Sequence, residues 1–232
     1  MKRFVRRIPV VGPLLARFYW RWRTRWHTAP VFSGSLQYWE KRYASGSDSG
    51  VGSYGKFADF KAEFLNAFVA EQRIASVIEF GCGDGNQLSL ACYPTYLGFD
   101  VSPTAVAACC ARYADDASRR FAAIDDYAGE TAELALALDV LYHLVEDEVF
   151  ERYMARLFDA ATRYVIIYSS NTDEPVDSSS PHVRHRAFTP WVAAQRPQWR
   201  LVRHIPNRYP YTGDYRTGSF ADFYVFAAPA RV

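Results

Sequence analysis

The chain is poor in cysteine, has no long apolar run in its N-terminal region and carries no acid in its first 39 residues. Each absence excludes something. The four cysteines, Cys82, Cys92, Cys109 and Cys110, form no C-x-x-C pair, and Cys109 and Cys110 are adjacent. A disulfide framework is therefore not expected, and free thiols in a reducing cytoplasm fit better. The longest uncharged piece of residues 1–30, Ile8 to Ala16, has nine residues and is too short to cross a bilayer. Basic residues recur from Arg17 to Arg25, directly after that piece, and no small-residue cleavage site appears, so export is not expected. Neither an internal repeat nor a linker is present.

The missing acid exposes an asymmetry. Residues 1–39 hold Lys2, Arg3, Arg6, Arg7, Arg17, Arg21, Arg23 and Arg25, so the remaining 19 basic side chains face 25 acidic ones and residues 40–232 carry about −6. That body is not a nucleic-acid binder by charge. The basic start is interleaved with Phe18, Tyr19, Trp20, Trp22 and Trp26. Arginine mixed with aromatics suits the interface of an anionic membrane. Packing on this or a neighbouring subunit, as in a homodimer, and RNA contact are the other readings of the arm. We expect residues 1–34 to be a basic aromatic extension and residues 35–232 one α/β domain, cytoplasmic, with contact at the inner membrane face if the arm binds lipid. Half of the residues are apolar and 16% aromatic, enough for a sizeable core.

The central stretch is Val77-Ile78-Glu79-Phe80-Gly81-Cys82-Gly83-Asp84-Gly85-Asn86-Gln87-Leu88. An apolar run ends in an acid, glycines follow at alternate positions, and an apolar restart comes after a polar cap. The pattern predicts a buried strand, a tight turn and a helix start. Glycines let backbone amides approach a ligand without an intervening Cβ. A second acid, Asp100, closes the next apolar run, Tyr96 to Phe99. A dinucleotide site requires G-x-G-x-x-G, but here the third glycine comes one place early and Asn86 stands in its position.

Downstream the periods alternate. Phe57, Phe60, Phe64, Leu65 and Phe68 recur at helical spacing and read as a core stripe. The preceding loop, Ala44 to Gly55, is rich in serine and glycine and reads as mobile, either a lid carrying Tyr54 or a connector. A short helix is expected over Ser35–Tyr43 and another from Asn86 to Cys92. Ser102 and Pro103 provide a cap and first helical position for the helix after the second strand. Phe121–Ile124 is the third strand, ending in Asp125-Asp126, and Leu134–Leu138 the fourth, ending in Asp139. Tyr164–Tyr168 is the fifth, after a helix with Val149, Tyr153, Leu157 and Phe158 on one face. Two more strands, Trp199–Ile205 and Phe220–Ala228, close the chain. The expected fold is α/β: a Rossmann-like, doubly wound, mostly parallel seven-stranded sheet with an antiparallel C-terminal strand and an N-terminal helical extension. Glu79, Asp100, Asp125 and Asp139 then fall at the carboxyl edge, where such sheets bind ligands.

The Glu79-x-Gly81-x-Gly83-x-Gly85 pattern, with Asp100 19 positions after Gly81, resembles the class I S-adenosylmethionine-dependent methyltransferases. The resemblance extends over residues 35–228, in a manner similar to bacterial members beside capsule, lipopolysaccharide and other glycan enzymes. It implies S-adenosylmethionine as cofactor. Glu79 and the turn (Gly81, Cys82, Gly83, Gly85, with Asn86 and Gln87) would hold the methionine part, and Asp100, with Val101 and Ser102, the ribose. Asp125 or Asp126 would approach the adenine amine, and Asp139, Val140 and Tyr54 would line the same pocket. The sequence has no metal-binding acid pair of the catechol type and no N-P-P-Y, whose place Asp139-Val140-Leu141-Tyr142 takes. A hydroxyl acceptor, on a glycan, a lipid-linked sugar or a small metabolite, is therefore favoured over a nucleic-acid amine. A regulatory module that binds the nucleoside without turnover is the reading from another class.

Acceptor chemistry points to two clusters. An oxygen acceptor needs its proton removed, and His143, just past Asp139, is the candidate base; the alternative is a histidine capping the next helix. In His182-Val183-Arg184-His185-Arg186, alternate residues of an extended chain would present His182, Arg184 and Arg186 together. Two arginines suit a carboxylate or phosphate on the acceptor. Ligation of a metal by His182 and His185, or a solvated basic loop, are the competing readings. Tyr209 and Tyr211 would stack on a sugar or cap the sheet.

Overall fold

In a computed structural model, the described residues are Phe32, 34–174 and 180–229. The expected arm, residues 1–34, lies outside them apart from Phe32 and Gly34. Among the described residues no helix is long and apolar enough to cross a membrane.

The elements follow the periodicities. Helix α1 is Ser35–Ala44 and α2 is Gly55–Gln72. Strand β1 (Ser76–Phe80), β2 (Thr95–Asp100), α3 (Pro103–Arg112), β3 (Arg119–Ala123) and β4 (Ala132–Leu138) come next. Helix α4 (Asp147–Asp159), β5 (Ala161–Ser169), α5 (Phe188–Gln195), β6 (Arg200–Ile205) and β7 (Asp222–Ala227) complete the order. The sheet runs β3-β2-β1-β4-β5-β7-β6. Five strands are parallel, and β7 is antiparallel to both β5 and β6.

Strands buried on both faces must be apolar at nearly every position, and Val77-Ile78 and Leu134 to Leu138 are. Alternate residues divide between two cores. Ile78, Phe80, Ala135, Ala137, Val165 and Ile167 pack with Phe150, Met154 and Leu157 of α4 and Phe188 of α5. Val77, Leu134, Leu136, Ile166 and Phe223 pack with Phe60, Leu65 and Phe68 of α2 and Cys109 of α3. This three-layer arrangement fixes the carboxyl ends of β1, β2 and β4 side by side. Strand order reverses between β1 and β4, which leaves a crevice at that edge.

Three local expectations change. The helix expected from Asn86 to Cys92 is only a 3₁₀ turn, Gln87–Leu90; so few residues cannot repay helix nucleation before Pro94. The third strand ends at Ala123, and Ile124–Asp126 forms another 3₁₀ turn. The serine- and glycine-rich loop is tied down rather than loose: it contains a 3₁₀ turn, Val51–Ser53, and Ser49 and Ser53 bond to the glycine turn.

Candidate functional site

The glycine turn sits at the carboxyl end of β1. Gly81 has φ +97°, and a Cβ there would stand 2.5 Å from Val140 Cγ2. Gly83 has φ +58°, and a Cβ there would run into Ser49 Oγ and Tyr43 OH. Both positions require glycine for conformation and for room. The Gly81 and Cys82 amides donate to Phe99 O at 2.6 and 3.0 Å, which stitches the turn to β2. Asp84 anchors the loop before α2: Ser49 N and Tyr54 OH both donate to Oδ2 at 2.8 Å, while Asn86 N donates to Oδ1 at 2.9 Å. Burial opposes ionisation of Asp84, but these donors outweigh it and hold the carboxyl below its usual range. Asn86 Nδ2 donates to Ser53 O at 2.7 Å and Gln87 Nε2 to Ala58 O at 3.2 Å, so both amides fasten α2 and its loop to the turn.

Glu79 and Asp100 are buried beside the turn, 5% and 6% exposed. Burial pushes the Glu79 carboxyl up to about 7, against the hydrogen bond from Tyr96 OH at 2.6 Å and the pull of Lys61. Asp100 accepts from Gly83 N and Ser102 N, each at 2.9 Å; burial still raises it to about 6. A carboxylate offers about four lone-pair sites, so these amides leave acceptor capacity. Ser102 caps α3 by accepting from Ala105 N at 3.1 Å, as its spacing predicts, and its hydroxyl donates to Glu40 Oε2 at 2.5 Å. Val101 adjoins this cap. Asp125 and Asp126 lie exposed in the turn after β3, at the same edge.

Asp139 ends β4 with a left-handed backbone, φ +60°. Tyr142 OH donates to its Oδ1 at 2.6 Å, and Lys61 Nζ to its Oδ2 at 2.5 Å. Lys61 is 1% exposed and its ammonium lies 5.3 Å from the centroid of the Tyr168 ring. Sequence reasoning missed it, although the signal was present: Lys61 is a lone charge in the apolar stripe of α2, four residues after Phe57 and three before Phe64. Glu40 was also missed, because its partners Ser102 and Thr104 are more than 60 positions away.

His143 is enclosed by rings: Trp39 at 4.8 Å, Tyr142 at 4.6 Å and His182 at 5.5 Å. Its Nδ1 lies 3.1 Å from His182 O. A carbonyl only accepts, so Nδ1 carries the proton and Nε2 the lone pair. Burial lowers its pKa to about 4, which keeps the ring neutral near pH 7. His182 stacks on Tyr38 at 4.2 Å, its Nε2 3.2 Å from Tyr38 OH.

The arginines of the second cluster do share a side, but it faces α4 rather than a pocket. Arg184 and Arg186 both reach Asp147, at 3.0 and 2.5 Å, and both donate to Val145 O. Both are thereby paired at the start of α4. His185 is buried, its Nδ1 2.6 Å from Ser170 Oγ, whereas His182 meets α1; the two imidazoles are held by different elements. Among the described residues no group of three or more His, Cys, Asp or Glu could hold a metal ion. The Tyr209 ring packs on α2, 5.9 Å from Phe57, with Lys56 Nζ 4.5 Å above it.

No family model matches the chain. Over 94 residues it is 36% identical to EEF1A lysine methyltransferase 4 of Mus musculus, a match covering 39% of this chain and 36% of that protein. The chain thus spans about a third of the length of that curated relative. Among solved structures it is similar to the N-methyltransferase NodS of Bradyrhizobium japonicum in complex with S-adenosylhomocysteine. There the TM-score is 0.66 and the identity 16%, over 85% of this chain and all of that one. It is also similar to the magnesium protoporphyrin IX methyltransferase of Synechocystis with bound S-adenosylmethionine. In that case the TM-score is 0.58 and the identity 14%, over 84% and 97% of the two chains. The fold is therefore that of the class I S-adenosylmethionine-dependent methyltransferases.

Proposed function

We propose that this chain is an S-adenosylmethionine-dependent methyltransferase, with the donor at the carboxyl edge of β1, β2 and β4 and the acceptor entering beside His143. The observation that carries the reading is one convergence: a turn with left-handed Gly81 and Gly83, bordered by buried Glu79 and Asp100 and by the Lys61–Asp139 pair. Three carboxylates with one ammonium make a net-negative crevice, which fits a donor whose sulfonium and ammonium outweigh its carboxylate. When bound, that donor supplies an electrophilic methyl group. The residues do the rest. Glu79 and the Gly81–Gly85 turn hold the methionine part, Asp100 accepts from the ribose hydroxyls, and Asp125 or Asp126 approaches the adenine. Transfer is an in-line displacement, so alignment dominates the rate. His143 Nε2 has the lone pair needed to take an acceptor proton.

A hydroxyl on a glycan or lipid-linked sugar is the acceptor class favoured by Asp139-Val140-Leu141-Tyr142 standing where N-P-P-Y would. The basic and aromatic composition of residues 1–39, suited to an anionic membrane interface, supports the same reading. A second reading, an amine acceptor, is favoured by the crevice itself: Arg184 and Arg186 are committed to Asp147, and aromatic rings and carboxylates remain to receive a cation. The test has two stages. S-adenosylhomocysteine should bind by calorimetry, and Asp100→Ala should weaken it roughly 10-fold or more, the loss expected for charge-assisted hydrogen bonds; absence of binding sinks the proposal. Labelled S-adenosylmethionine with membrane glycolipid extract or with polyamine and lysyl acceptors then separates hydroxyl from amine transfer.

A further inference from the structure

Lys61 stands out because stability does not explain it. A buried ion pair contributes little net stability, since removing two charges from water costs about what their attraction returns. An apolar side chain would continue the stripe of Phe57, Phe60, Phe64, Leu65 and Phe68. Instead a lysine 1% exposed reaches Asp139 at 2.5 Å. Its partner is also held at some cost. Asp139 takes the left-handed backbone conformation, φ +60°, which disfavours residues with a Cβ. The Asp139 amide donates to Tyr168 O at 2.9 Å, and Tyr142 OH fixes Oδ1. The loop before α2 comes so close that a Cβ on Gly52 would lie 3.0 Å from Asp139 Oδ2. The pair adjoins the glycine turn, because Val140, the next residue, is what a Cβ on Gly81 would strike. Lys61 also acts on the Glu79 carboxylate, as Asp139 does with the opposite sign.

We propose that Lys61 and Asp139 form a receptor for the zwitterionic amino-acid end of the donor, the Lys61 ammonium taking its α-carboxylate and the Asp139 carboxylate its α-ammonium. The inference rests on the donor site proposed above, in which Glu79 and the glycine turn hold the methionine part, and adds the two charges that read its carboxylate and ammonium. A zwitterion inserted into an existing ion pair replaces one contact of opposite charges by a head-to-tail array, so no charge is left unpaired when the site fills. Before binding, each member neutralises the other, which lets a lysine persist in an apolar stripe. The left-handed Asp139 and its bond from Tyr142 hold one pole of this receptor; burial among aromatic rings holds the other.

The experiment compares S-adenosylhomocysteine, which carries the amino-acid end, with 5′-methylthioadenosine, which keeps the nucleoside and thioether and lacks that end, by calorimetry on the full chain. The unsubstituted protein should bind the first more tightly by roughly 10- to 100-fold, the range for hydrogen bonds to charged groups. Decarboxylated S-adenosylhomocysteine should fall toward methylthioadenosine, an arm that needs no variant. Lys61→Met should remove most of the preference while leaving methylthioadenosine within about 2-fold, since the nucleoside contacts are untouched. Where Lys61→Met alone leaves Asp139 unpaired and the melt shows unfolding, Lys61→Met with Asp139→Asn removes both charges, and the same loss of preference is expected. Equal affinity of the unsubstituted protein for the three ligands overturns the inference while leaving the donor site standing. So does a folded variant that keeps the preference, or one that loses both ligands in parallel as a purely structural role would require. Failure of the unsubstituted protein to bind any of the three instead overturns the donor site itself.

Discussion

Glu79 and Asp100 show how single residues connect the fold to its charge state. Burial raises the Glu79 carboxyl from its ordinary 4.5 to about 7, so the folded protein holds a proton there that the unfolded chain has released. For a group raised in this direction, the stabilising contribution is complete below the unfolded value, near 4.5, and is lost as pH rises through the folded value, near 7. Glu79→Gln cannot ionise and still presents an acceptor to Tyr96 OH. Its stability relative to the unsubstituted protein should therefore climb between pH 5 and 8, by up to about 3 kcal/mol at 1.36 kcal/mol per unit. Urea unfolding at a series of pH values measures this, and a pH-independent difference would show that Glu79 does not titrate in the window. The same substitution separates fold from function, since a neutral amide keeps an acceptor but carries no charge to attract a cationic donor.

Among the elements, α1 is held in an unusual way. Of its ten residues only Ser35 and Tyr43 are buried, and hydrogen bonds fasten it beside the ring contacts of Tyr38 and Trp39 with His182 and His143. Ser35 N and Oγ donate to Glu146 at 2.9 and 2.7 Å, Tyr38 OH meets His182, and Glu40 receives Ser102 Oγ and Thr104 Oγ1 at 2.5 and 2.6 Å. Elements with few buried contacts open most readily, so Glu40 is the clasp to release. Glu40→Ala should increase amide exchange in residues 35–45 roughly 5-fold or more and leave β1 and β4 protected. Unchanged exchange in α1 would show that other contacts hold it. The helix illustrates what a sequence conveys. Its existence could be read from Ser35 to Tyr43, but its attachments join positions more than 60 apart, which no local pattern encodes. The strands were legible because burial on both faces forces continuous apolar runs. The loop before α2 was misread because its composition is that of a flexible segment, whereas its order comes from Asp84, 35 positions beyond Ser49. The pairing of the arginines at 184 and 186 was hidden for the same reason, their partner Asp147 lying 39 positions before Arg186. Lys61 was the opposite case, a local irregularity whose meaning appeared once Asp139 was beside it.

At the scale of the whole molecule, the mostly parallel sheet and its carboxyl-edge acids followed from alternating periods, whereas the proposed acceptor side gathers side chains from α1, the turn after β4 and the segment before α5. Charge is the remaining global feature, and it is uneven: eight basic residues and no acid in residues 1–39, against about −6 over residues 40–232. We propose that the arm brings the protein to an anionic membrane face, where a lipid-linked acceptor would be met. Near such a surface each basic residue contributes about 1 kcal/mol of attraction, and interfacial tryptophans add apolar contact. The full chain should float with vesicles containing about one-third anionic lipid and detach as salt rises toward 1 M, where the screening length falls to about 3 Å. A chain beginning at Gly34, the start of the compact unit, should remain in solution in both conditions, because its negative body is repelled by the same surface. It should keep its affinity for S-adenosylhomocysteine, since the proposed donor contacts lie within residues 35–229. Equal flotation of the two chains would remove the membrane argument. Flotation on neutral vesicles as readily as on anionic ones would assign the attachment to the aromatic residues instead of the charge.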